Sequence, residues 1–294
     1  MSKGSLAVVT DSTADLSPDL VAERGIAVVP LTVSLGGKSY LDGVNITPAE
    51  FYARLEKSGA TATTSQPSPG QFADVYERLL ANHAEVLSLH ISSKLSGTFA
   101  AASQAADMVD GGRIKVVDTG QVSMPLALEV LAASAMAAGG DNAQTVLGRL
   151  RPIQDAVRVY FMVGTLEYLR RGGRIGRASA LVGSVLQVKP VLTIADGQVA
   201  PLERVRTQEK ALSRVIELAR QAGGRVCALV GHAAAEEPAR RIAEALDAEA
   251  ETLIMAPLGP VVGAHAGPGT VGVGCYPADL FPLGLRRLSS SAAR

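Results

Sequence analysis

The chain contains no tryptophan, and aromatic residues make up 4% of its 294 positions. Base-stacking platforms need aromatic faces, so this scarcity argues against a single-stranded nucleic-acid binder. Net charge is also missing. The 28 basic and 28 acidic residues cancel, which argues against general binding to nucleic acid or to a membrane surface. Cysteine is almost absent. Cys227 and Cys275 lie far apart in apolar runs without metal-ligand spacing, and they read as two buried free thiols in a reduced cytoplasm. No long hydrophobic run occurs, and Leu6-Ala7-Val8-Val9 is too brief for a signal peptide or a membrane span. H-E-x-x-H, clustered acids and a Walker A pattern are all absent, so the expectation is no metal and no cofactor.

What is present is a chain that is 47% apolar and long enough to bury a large core in two domains. Strand and helix signals alternate through the first half. Leu6–Thr10 reads as a strand, and Ser17-Pro18 as a helix start running to Arg24. Ile26–Val33 reads as a second strand, and Thr47-Pro48-Ala49-Glu50 as a capping box opening a helix to about Lys57. A helix follows Pro69-Gly70 with Phe72, Val75, Leu79 and Leu80 on one face, then come strand 86–91, helix 97–109, strand 113–118 and helix 126–138. This rhythm predicts an α/β fold with a mostly parallel sheet. From residue 157 the pattern becomes mixed, with strands 157–163, 188–193 and 198–202 and the hairpin signal Asp196-Gly197. Helices 207–222 and 236–247 and strands 225–231, 251–255 and 270–276 follow. The expected division is an N-terminal α/β domain over 1–156, a C-terminal α+β domain with a mixed sheet over 157–285, and a frayed tail over 286–294.

Four loops carry candidate chemistry: Asp11-Ser12-Thr13, Thr63 to Ser68, Ser92 to Thr98, and His265-Ala266-Gly267-Pro268-Gly269. Asp11, Ser12 and Ser68 also have a plain reading as caps. The third loop places hydroxyls and Gly97 where a parallel strand ends and a helix begins. Ligands bind at that edge of an open α/β sheet, and the N–H groups of a helix start favour a small anion. Gly267 to Gly272 spells G-x-G-x-x-G, but it precedes the strand-like alternation Val271 to Cys275 instead of opening a helix, so the dinucleotide reading is rejected. The surroundings of Ser96 lack the G-x-S-x-G elbow of hydrolases. A serine nucleophile at Ser96 with His265 as base stays open as an acyl hydrolase or transferase, as does a phosphoryl-transfer protein. Arg170, Arg171, Arg174 and Arg177 stand within eight residues. They suit a phosphate or an acidic partner surface, or equally a solvated turn, and Arg204 and Arg206 extend the patch.

Taken together, the loops resemble the DegV family of bacterial lipid-binding proteins, which includes the fatty-acid-carrying subunit of fatty acid kinase. The carriers are Val9 to Asp15, Tyr40-Leu41-Asp42-Gly43, Thr64 to Ser68, Leu95-Ser96-Gly97-Thr98, Leu169 to Ile175, and His265 to Gly269, in the family's order along residues 6–282. One departure is Ala266, where the family often has a small polar residue. The resemblance implies a Rossmann-like N-terminal domain, a C-terminal α+β domain, and one long-chain fatty acid in an apolar tunnel. It implies that Thr64, Ser65, Ser96, the Gly97 N–H and His265 hold the carboxylate, and that Arg171, Arg174 and Arg206 serve partner docking or an acyl phosphate. It further implies a non-enzymatic carrier whose partner, a fatty acid kinase subunit, supplies the nucleotide and phosphorylates the bound acid.

Overall fold

The computed structural model describes residues 5–59, 61–181 and 189–287. β1 (Leu6–Asp11), α1 (Pro18–Glu23) and β2 (Ala27–Val29) open the chain. The Ser17 hydroxyl accepts from Leu20 N, and Pro18 stands in the first turn of α1, where its missing N–H costs nothing. The single strand expected over 26–33 is two strands. Pro30 has no N–H to give a ladder and divides β2 from β3 (Thr32–Leu35), which turns into a different sheet with β4 (Lys38–Leu41). α2 (Pro48–Ser58) begins at the expected capping box. Glu50 N donates to the Thr47 hydroxyl at 3.3 Å, and Thr47 N donates to the Glu50 carboxylate at 2.9 Å. β5 (Thr63–Ser65) completes an antiparallel sheet in the order β4-β3-β5.

α3 (Pro69–Leu80), β6 (Glu85–His90), α4 (Thr98–Val109) and β7 (Ile114–Asp118) finish the first sheet, whose order is β2-β1-β6-β7 with every pair parallel. α5 (Met124–Ala138) follows, then α6 (Ala143–Ala156). α6 escapes the sequence reading because Gly148 and Pro152 interrupt its helical signal.

β8 (Arg158–Met162) and α7 (Glu167–Arg171) lead to β9 (Lys189–Ala195) and β10 (Gln198–Val205), joined at Asp196-Gly197. Both turn residues have positive φ, 48° and 74°, as the tight hairpin requires. The expected strand start at Val188 lies outside the described residues. α8 (Gln208–Arg220), β11 (Val226–His232), α9 (Glu236–Leu246), β12 (Ala250–Pro257), α10 (Pro260–Ala266) and β13 (Val271–Pro277) follow. Arg286 and Arg287, assigned to a frayed tail by sequence, form β14 (Arg286–Arg287) beside β12. Glu251 holds the approach to β14, accepting from Leu283 N and Gly284 N. The rest of the expected tail lies outside the described residues. The second sheet is mixed, in the order β10-β9-β8-β13-β11-β12-β14.

One apolar core fills the space between the sheets. It joins Val8, Leu87 and Leu89 of the first sheet to Val159, Phe161 and Leu192 of the second, with Leu126, Leu128 and Leu131 of α5 between them. α5 is buried nearly all round, which accounts for its unbroken apolar sequence. It approaches the second sheet closely because β11 and β13 offer glycines there. A Cβ on Gly274 would lie 2.8 Å from Met124 Cβ, and one on Gly231 would lie 2.9 Å from Met124 Sδ. Cys227 and Cys275 are buried and free. No helix among the described residues is long and apolar enough to cross a membrane.

Candidate functional site

A cavity of about 810 Å³ of empty space, part of it continuous with solvent, lies between the two sheets. Three sources build its walls. Thr13, Ile91, Leu95, Ser96, Val122 and Ser123 come from the carboxyl edge of the parallel sheet, where the loops after β1, β6 and β7 emerge. Val159, Phe161, Ile194 and Val199 come from β8, β9 and β10. Val261, Val262, His265 and Ala266 lie along α10, with Met124, Leu31, Leu169 and Leu258 filling in. Aliphatic side chains therefore cover most of the interior.

Polar groups gather at one end. Thr64, on the edge strand β5, meets His265 across 201 residues of sequence, with Thr64 Oγ1 2.7 Å from His265 Nε2. Ser96 lies nearby, its Oγ 2.9 Å from Thr98 Oγ1 and accepting from Thr98 N at the start of α4. Arg174 is anchored by two backbone oxygens: Nε donates to Leu95 O at 3.0 Å and Nη1 to Gly172 O at 2.6 Å. A guanidinium has five N–H donors, so this anchoring leaves others available at the cavity wall. His265 sits in the last turn of α10, not in the glycine loop that the sequence suggests. Burial, aided by the positive charge of Arg174, pushes its imidazole down to about 4. The ring is neutral near pH 7. Its Nδ1 has no hydrogen-bond partner among the described residues and packs on Gly172, where a Cβ would collide with the ring.

Of the residues read from sequence, Thr64, Ser96 and His265 line the cavity together. Ser65 is exposed on β5 and points off the lining. Gly97 caps α4 behind the wall, covered by the Gln66 side chain, which leaves no room for a Cβ there. The arginine cluster is divided. Arg170 and Arg171 both bond Glu167, whose carboxyl they hold down to about 2. Arg177 bonds Asp196. Arg174 alone of these lines the cavity, which brings a positive charge to a site that neutral donors were expected to form. Arg206 is exposed and lines no part of it. Sequence reasoning missed Met124, the contact of Gly172 with His265, and Val261 and Val262 of α10. Gly259-Pro260 was the available signal for α10, since proline favours a first helical turn.

The pairing of Ser96 with His265 that a serine hydrolase needs is not made, because His265 Nε2 faces Thr64 and the Ser96 hydroxyl faces Thr98. Another Asp-His-Ser chain exists in the core. Asp11 Oδ2 lies 2.9 Å from His90 Nδ1, and His90 Nε2 lies 2.7 Å from Ser88 Oγ. Ser88 Oγ also accepts from the Tyr76 hydroxyl. All of these groups are fully buried, so the chain is closed to substrate. Asp11 also accepts from Ile91 N and Thr13 N, which fixes two segments of the cavity wall. Among the described residues, no group of three or more His, Cys, Asp or Glu could hold a metal ion.

Comparison with known proteins gives a consistent result. A model of the DegV family, described as uncharacterised proteins, matches residues 5–278. A DegV domain-containing protein of Streptomyces coelicolor is 41% identical over 274 residues, covering 91% of this chain and 97% of its own length. A DegV family protein from Thermus thermophilus, described by its fatty acid binding, superposes with a TM-score of 0.86 at 40% identity, covering 92% of this chain and 99% of its own. DegV of Bacillus subtilis, described as a fatty acid binding protein, has a TM-score of 0.86 at 34% identity, covering 93% and 100%. A stearic acid-binding protein from Eubacterium ventriosum has a TM-score of 0.82 at 27% identity, covering 92% and 97%.

Proposed function

The chain belongs to the DegV family, and from that premise and the chemistry of the cavity we propose that it binds one long-chain fatty acid with the carboxylate at Thr64, Ser96, His265 and Arg174. The observation that carries this reading is a mostly aliphatic cavity in which Thr64, His265 and Arg174 meet beside Ser96. Burying a methylene contributes about 0.8 kcal/mol, so a chain of roughly 15 supplies on the order of 12 kcal/mol. A carboxylate dragged into the same space costs several kcal/mol unless it is paired. Hydrogen bonds to a charged group return about 1.5–3 kcal/mol each, and the Arg174 guanidinium adds direct attraction. The tail supplies affinity and the head fixes direction.

Ser65 and Gly97 enter this reading as support for Thr64 and for the start of α4. The unit over 1–156 supplies Thr64 and Ser96, and the unit over 157–285 supplies Arg174 and His265, so the acid's head joins the two. The protein acts as a cytoplasmic carrier that presents the acid to a separate kinase, with Arg171 and Arg206 on the exposed docking face. Organic extraction and mass spectrometry of the native protein test the first step. A fatty acid at one equivalent is expected, and lipid-free protein that also fails to take up added acid would sink the reading. Charge reversal at Arg171 and Arg206 tests the second. It should abolish phosphorylation of the bound acid and leave acid affinity intact, whereas reversal at Arg174 should lower affinity itself.

A further inference from the structure

A buried acidic pair stands at the far end of α10 from His265, and the reading above does not use it. Asp15 and Asp42 are 9% and 4% exposed and come from separate loops of the N-terminal half. Both face the start of α10. Asp15 Oδ1 accepts from Gly259 N at 2.8 Å, and Asp15 Oδ2 accepts from the Ser123 hydroxyl at 2.5 Å. Asp42 Oδ2 accepts from Val261 N at 3.4 Å. A Cβ on Gly259 would lie 2.8 Å from Asp15 Oδ1 and 3.2 Å from Asp42 Oδ1, so this glycine is what lets both carboxyls crowd one helix start. The Tyr52 hydroxyl adds a bond to Leu258 O at 3.0 Å.

The ionisable groups acting on the pair are themselves acidic: Asp11 on β1, bonded to His90, and Tyr52 on α2. Ser12 and Ser123 contribute hydroxyls, and no basic side chain among the described residues acts on either carboxyl. Two buried like charges without a cation do not both form readily. Burial raises the Asp15 carboxyl well above its ordinary value, and burial raises Asp42 to about 7. Both carboxyls therefore hold their protons into the neutral range. The helix they hold is short. His265 lies five residues beyond Pro260, about 8 Å along the axis at 1.5 Å per residue. A shift at the start of so short a helix is passed to its end.

We propose that Asp15 and Asp42 clamp the start of α10 and are positioning residues for His265, so that the head-group site is set from the opposite end of the helix. This rests on the fatty-acid reading. Ionisation of Asp42 puts a buried negative charge at a clamp that holds no cation and loosens α10.

The test is hexadecanoate affinity, followed by displacement of a fluorescent acyl probe, across pH 6 to 8. A folded carboxyl raised above its unfolded value supports the clamp at low pH, and that support is lost as pH rises through about 7. Wild-type affinity is expected to fall by about tenfold from pH 6 to pH 8, one pH unit beyond the transition being a factor of ten. Asp42→Asn keeps an acceptor for Val261 N without the charge, so its profile should be flat. Gly259→Ala, which pushes both carboxyls away, should weaken binding at every pH. A flat wild-type profile overturns the proposal, as does an Asp42→Asn protein that keeps the wild-type slope. If Asp42→Asn does not fold, Asp15→Asn is read by the same two outcomes. If wild type binds no hexadecanoate at any pH, the fatty-acid reading fails. The clamp is then decided by Tm, which should fall from pH 6 to 8 in wild type and stay level in the variant.

Discussion

The two ends of the cavity carry similar residues with opposite consequences. Thr64 and Ser96 stand at one end, Thr13 and Ser123 towards the other, and all four line it. The distal hydroxyls are committed to the protein. Thr13 donates to Asp11 at 2.5 Å and Ser123 to Asp15 at 2.5 Å. With its proton taken, Thr13 can offer its methyl to a ligand. At the other end, the Thr64 hydroxyl meets an imidazole and the Ser96 hydroxyl a second hydroxyl besides the Thr98 N–H, side-chain partners that can donate or accept in turn. A count of hydroxyls in a lining therefore says little about its polarity; the owner of each proton decides.

The largest expected effect breaks the polar end from behind. Gly172 has φ −74°, so alanine suits its backbone, and the obstacle is the His265 ring against its Cβ position. Gly172→Ala should displace the ring, part it from Thr64 and lower acid affinity on the order of 100-fold, the loss of one or two hydrogen bonds to a charged group. Titration of the protein with a C16 acid reads this directly, and unchanged affinity would remove His265 from the head-group site. A slightly smaller effect comes from acid. His265 is held near 4 when folded, below its ordinary 6.5, so the unfolded chain binds the extra proton first. Stability is lost as pH falls from about 6.5 towards 4, by at most about 3 kcal/mol in the ligand-free protein. His265→Gln should remove that part of the slope in denaturant melts. An identical slope in the variant would assign the loss to other groups.

The legible part of the molecule is the part whose causes are local. Thr47 and Glu50 announce α2 three residues apart, and Asp196-Gly197 announces its hairpin within two. Pro30 was visible, yet the departure of β3 into another sheet depends on pairing with β5, thirty residues on. α10 was missed because seven residues give too little periodicity to count. Among site residues, Ser96 was readable from a strand end before a helix start. The bond between Thr64 and His265, and the contacts of Asp15 and Asp42 with α10, join segments about 200 residues or more apart. Asp11 and Ser68 do cap, as their residue types suggest. That reading still leaves out the His90 partner of Asp11, which no spacing in the chain foretells.

Removing one hydroxyl from each end gives the sharpest comparison. Thr64→Val keeps the shape and deletes a partner of His265, so affinity should fall by about tenfold with little change in Tm. Thr13→Val keeps the cavity apolar but strips Asp11 of a short hydrogen bond in a fully buried site. Its cost should appear as stability, about 1–3 kcal/mol, with affinity within a factor of two or three. Paired calorimetric melts and acid titrations separate the two outcomes. Equal losses of affinity in both variants would erase the distinction between the ends.

The smallest effect concerns length rather than strength. Met124 lines the cavity at the first residue of α5, and its side chain fills space left by the glycines at positions 231 and 274. Gly231 also faces Leu258, just before α10 begins, whereas His265 is at the helix's end. Met124 thus lies away from the polar groups, where an acyl tail would finish. Methionine is unbranched and adapts to irregular space, so it serves as a soft stop. Met124→Ala would open room for about two more methylenes at about 0.8 kcal/mol each, less what the vacated cavity costs with short acids. Affinity for a C16 acid should change only a fewfold while the preferred length moves up by about two carbons, as read by mass spectrometry of acids captured from an equimolar mixture of chain lengths. An unmoved length profile would place the end of the tail elsewhere, against Val159 or Ile194.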